Sequence, residues 1–103
     1  MAAIQSTPVP LAASIAAAAP VDVSMWDRKA VFFTGVFTAT YQVQISPDMD
    51  PATTAWFNEG AAVNATGTVI EITKPCRQVR VNTTAFTSQV GARCVLSGVA
   101  ADS

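Results

Sequence analysis

"TATYQVQI", residues 38–45, is the stretch on which the fold turns. Tyr41, Val43 and Ile45 point one way along an extended chain, and Thr40, Gln42 and Gln44 point the other. Side chains alternate with period two in a strand, so this is a strand with one buried and one wet face. Just before it, "AVFFTGVF" (30–37) is a dense apolar run with Gly35 inside, which predicts a bulge or a close backbone approach. Downstream, "AWFNEG" (55–60) reads as a short strand ending at a turn. "TVIEIT" (68–73) alternates again after a turn at Asn64–Gly67. "RQVRVN" (77–82) points Val79 and Val81 inward, and "ARCVLSGVA" (92–100) follows a further turn at Ser88–Gly91. Turn signals recur every eight to fifteen residues and leave no room for a crossover helix. The expected fold is an all-β, antiparallel β-sandwich of roughly six to eight strands.

The strand pattern starts at about Val21, so the expected organisation is an extended N-terminal arm, residues 1–20, and a sandwich domain, residues 21–103. The arm, "MAAIQSTPVPLAASIAAAAP", carries no charge. It lacks the basic start of a signal peptide, and its apolar run, Leu11–Ala19, is shorter than the ~20 residues that span a bilayer. Pro8 and Pro10 favour an extended course. Leu11 and Ile15 make water a poor final environment for the arm. It is expected to be dispensable for folding and to dock on a partner by strand addition.

The chain has 103 residues, 6 basic and 7 acidic, for a net charge of −1. One domain fits this length. Charged residues make up 13%, about half the usual ~25%. So few charges imply a surface covered by partners, and a homo-oligomer is expected. Histidine is absent, which removes the default general base and every Ser-His or Cys-His pair. Lys74, Arg77 and Arg80 cluster, but three charges are too few to track a phosphate backbone, so no nucleic acid is expected. No membrane segment is expected either.

Each remaining candidate site has a plainer reading beside it. Asp48 and Asp50, in the turn Ser46–Thr54, could hold Ca²⁺, yet the further oxygens, glycine and closing glutamate of a calcium loop do not follow. Pro47 and Pro51 flank them, and Asp and Pro are ordinary turn residues. Glu59 and Glu71 are the two glutamates, and nothing places them across a cleft as a glycosidase requires. Cys94 shares the parity of Leu96 and points inward, whereas Cys76 shares that of Gln78 and Arg80 and points outward. Two free thiols in a reducing compartment are expected. Asn64-Ala65-Thr66 and Asn82-Thr83-Thr84 match the glycosylation sequon, which matters only in a eukaryotic secretory pathway. Trp56 and Phe57 are adjacent, so in a strand one faces the core and the other is free to stack on a sugar or a partner. No metal, no cofactor and no catalytic residue are expected.

Gly35 to Thr40, Ser46 with Asp48, Trp56, and Val79-Arg80-Val81 followed by Thr83 and Thr84 form an ordered pattern. Over residues 21–100 it resembles a group of small tailed-bacteriophage virion proteins. The resemblance implies a non-enzymatic structural protein of the virion, a capsid decoration or cement protein made in the bacterial host cytoplasm. Its implied partners are the major capsid protein or other virion proteins. Leu11, Ile15, Asp48, Asp50, Trp56 and Phe57 are the expected contact residues. The alternative is a carbohydrate-binding β-sandwich module, or a small tail or head-fibre component, that uses Trp56 and Phe57.

Overall fold

The computed structural model describes residues 4–24, 26–47 and 55–100. These form one antiparallel sheet: β1 (Ile4–Val9), β2 (Val21–Asp22), β3 (Trp26–Ser46), β4 (Phe57–Asn58), β5 (Val69–Ile72) and β6 (Gln78–Ala100). The all-β antiparallel class is as expected. The layering is not: a single curled sheet, a half-barrel, stands where two packed sheets were expected.

The frame is a ribbon of two long strands. β3 has 21 residues and β6 has 23, and they pair from Trp26↔Ala100 to Ser46↔Gln78. The runs at 30–37 and 38–45 are therefore one strand, and so are those at 77–82 and 92–100. Gly35 (φ +88°) and Gly91 (φ +63°) do not end strands; they sit in a bulged segment where the register slips at Thr34/Val36, Thr38/Ala39 and Thr40/Tyr41. Bulges bend a strand and sharpen its twist. The bend is severe. Phe33 and Tyr41 would lie ~26 Å apart along a straight strand, yet their rings stack with centroids 5.7 Å apart, and Phe37 meets Tyr41 edge-on at 5.0 Å.

Short strands cover the ends of the ribbon. β5 pairs with β3 at Lys29–Phe32 and β4 at Gln44–Ile45, with a single bridge, Tyr41↔Val63, between them. On the far side of β6, β1 pairs from Val9↔Cys94 to Ile4↔Val99, and β2 at Val79–Gln78. Thr83 N–H donates to Ala16 C=O and Ala18 N–H to Val81 C=O, each at 3.0 Å. The curled face encloses Val31, Phe33, Tyr41, Val43, Val79, Val81 and Leu96, all fully buried. The Tyr41 hydroxyl donates to Gln89 Oε1 at 2.8 Å, which satisfies the one polar atom of that ring.

Residues 4–9 of the arm expected outside the core are instead a strand of the sheet. That strand is extended, as Pro8 favoured, but the edge it pairs with is this chain's own β6. Val9 is buried in the core, and Leu11 packs against it. The pairing of residues 4–9 with 94–99 is a contact over some ninety positions, which local strand signals do not carry.

Candidate functional site

The residues singled out in the sequence do not converge on one place. Leu11 is half-buried against its own core and Ile15 is exposed. Asp48 and Asp50 lie outside the described residues. Trp56 and Phe57 sit at the outer edge of the sheet, where a polar ladder crosses three strands. Asn58, Gln44 and Arg80 lie side by side on β4, β3 and β6. Gln44 Nε2 donates to Asn58 Oδ1 at 3.1 Å, and Arg80 Nε donates to Gln44 Oε1 at 2.8 Å. The Arg80 guanidinium then lies 4.2 Å from the centre of the Trp56 ring, a cation–π contact. Partial burial holds the Arg80 pKa below its ordinary value.

Neither aromatic is a core residue, contrary to the expectation that one would be. Trp56 is half-buried beside Arg80. Phe57 lies opposite Ile45, on the core side, but β4 is two residues long and forms the sheet edge, so the ring stays 58% exposed. The basic cluster also separates. Lys74 pairs with Glu59 at 3.6 Å, Arg80 joins the ladder, and Arg77 is exposed.

A second polar group escaped the sequence reading. Lys29 and Glu59 are both 6% exposed. Lys29 Nζ donates to the Trp26 carbonyl at 3.2 Å. Glu59 Oε1 faces Lys74, while its buried Oε2 has no hydrogen-bond partner among the described residues. Lys29 had a signal: it shares the parity of Val31 and Phe33, so period two already turned it inward. Glu59 had none. Its carbonyl and that of Gly60 accept from Gln42 Nε2, which holds the segment against β3. Glu71, by contrast, is exposed on β5.

Both cysteines are free thiols, as expected. Half-burial raises the Cys76 pKa; nearby Lys29 opposes this and Glu59 adds to it. Burial pushes Cys94 from 9.0 to about 12. Thiolate is the reactive form, so neither is an activated nucleophile. Among the described residues, no group of three or more His, Cys, Asp or Glu could hold a metal ion.

These shifts predict an alkaline weakness. Between pH 9 and 12 the Cys94 thiol ionises in the unfolded chain but not in the folded one. Stability present below pH 9 is therefore lost as pH rises, by about 4 kcal/mol at pH 12. Tyr41, raised by burial and then by Cys94, acts in the same direction. The urea midpoint should fall between pH 8 and 10.5, and Cys94→Ala should flatten that fall. Iodoacetamide at pH 8 should leave Cys94 unmodified until urea is added. Equal labelling of both thiols in the native protein would contradict the burial.

Compared with family models, curated proteins and solved structures, the chain matches none of them.

Proposed function

We propose that the protein is a non-enzymatic structural component of a virion, a capsid decoration or cement protein. It would bind the major capsid protein or other virion proteins through its sheet surfaces. The observation that carries this reading is the uncharged, uncovered middle of the ribbon. No charged residue occurs from Thr34 to Ser46 or from Val81 to Ala92. Among the described residues, the backbone of 35–40 and 84–92 pairs only across the ribbon. Val36 and Val90, opposite one another there, are 68% and 72% exposed. Free chains protect sheet edges with lysine, proline or inward charge. This ribbon has its bulges alone, which suits a protein that works in an assembly. The ordered pattern resembling small phage virion proteins supports the finer reading. Attachment runs through the body of the sheet rather than through residues 4–9, because β1 already has its partner in β6.

The test is quantitative mass spectrometry of purified particles from a phage that carries this gene. Many copies per particle, and rebinding of the pure protein to particles stripped of it, are expected. Absence from the particles would sink the proposal. The Trp56–Arg80–Gln44–Asn58 ladder favours a second reading, a carbohydrate-binding module, because aromatic faces and amides are what sugars contact. A glycan-array signal that disappears in Trp56→Ala would choose it.

A further inference from the structure

The convex face at the β1–β6–β3–β5 end of the sheet has a pattern the proposed function leaves unused. Register places Pro8, Val95, Phe32 and Val69 in one row across the four strands. They lie on the face opposite buried Val31 and Phe33, where polar residues belong. Phe32 is 38% exposed and Val69 50%. Two charges flank the row. Glu71, on β5, stands opposite Ala30, two residues from Phe32 toward the start of β3. Arg93, on β6, stands opposite Thr34, two residues the other way. The two lie at opposite corners about Phe32, ~16 Å apart by strand spacing and rise, too far to pair with each other. Both are exposed, and neither makes an ion pair among the described residues. Arg28, diagonal to Glu71, makes none either.

We infer that this face binds a second copy of the chain, face to face about a two-fold axis at Phe32. A two-fold interface is self-complementary: whatever one copy presents, the other must receive. An axis lying in the face through Phe32, perpendicular to the Glu71–Arg93 line, sets Phe32 against the partner's Phe32. It also sets Glu71 against the partner's Arg93, and the partner's Glu71 against Arg93. The two charges then pair twice, around an apolar centre that becomes dry. A different protein as occupant gives no reason for opposite charges to stand symmetrically about the most central aromatic. The inference rests on the assembly reading only for the premise that this face is covered in the working state.

Sedimentation equilibrium of the full chain at neutral pH and low salt tests it. The wild type should be a dimer at ~100 μM. Glu71→Arg and Arg93→Glu each turn two attractions into two repulsions and should weaken dimerisation by about tenfold or more. The double variant Glu71→Arg/Arg93→Glu restores both pairs in swapped form and should restore the dimer. Both substitutions are at exposed positions, and circular dichroism of all three variants should show the wild-type strand signal. A monomeric wild type would overturn the inference. So would an oligomer indifferent to the single reversals, or a double variant as weak as the singles. These outcomes are read on pure protein, so they are distinct from absence in particles, which bears on the virion reading alone.

Discussion

Deleting residues 2–10 is expected to lower the melting temperature by ~15 °C or more. The deletion removes β1, and with it six residue pairs along β6 from Cys94 to Val99. It removes Val9, 3% exposed, which lies opposite Cys94 beside fully buried Leu96. Burying a valine contributes about 2 kcal/mol, and the lost strand pairing adds to that. Ordering the strand costs backbone entropy, which the deletion returns. The net loss should be about 3–5 kcal/mol, against the ~5–15 kcal/mol by which a domain is held folded. The truncated protein would also present a bare β6 edge, so aggregation should accompany the loss. Val9→Asp tests the same point with the strand kept, and should destabilise by a similar amount. If the truncated protein melts within a few degrees of the full chain, β1 is a detachable arm and attachment through it returns as a possibility.

Gly35→Ala should cost about 3–5 kcal/mol, read from the urea midpoint. Two penalties combine. At φ +88° an L-residue is strained by ~1–3 kcal/mol. A Cβ at Gly35 would also fall on the carbonyl of Gly91 and close to Ala92 Cα across the ribbon. Those atoms are backbone, so relief requires opening the bend, at a further ~1–3 kcal/mol. Opening it would draw Phe33 away from Tyr41. Gly91→Ala is the control. Its φ of +63° is in the left-handed region, and nothing lies within 4 Å of the added carbon, so the cost should be about 1–2 kcal/mol. Equal costs at the two glycines would mean that the bend is held by something other than this close approach.

The candidate site was legible only one residue at a time. Trp56 stands out in the sequence as an aromatic beside a turn, but its neighbour Arg80 is 24 positions on. The link between them is a register, Gln44 opposite both Asn58 and Arg80. Phe57 had the parity of a core residue and stayed exposed, because the strand that carries it is the edge. Glu59 reads as a turn residue, yet it is buried by the segment that Gln42 anchors.

By itself the sequence determined the antiparallel all-β class and the inward faces of Tyr41, Val43, Ile45, Val79, Val81, Cys94 and Leu96. Each follows from the two-residue period of an extended chain, a local property that any window of six residues displays. The outward reading of Cys76 failed, because that residue precedes β6 and packs half-buried against the core. The tertiary structure alone decided that Gly35 and Gly91 bend continuous strands rather than end them. A positive φ serves a turn and a bulge equally well, and the choice depends on whether a strand lies opposite on both sides of the glycine. It alone decided that residues 4–9 of the uncharged arm become β1. Any free strand edge can hydrogen-bond an extended segment, and β6 offers one at the right distance along the chain. It alone set Glu71 and Arg93 about Phe32, because strand order and register place side chains from three separate strands on one face.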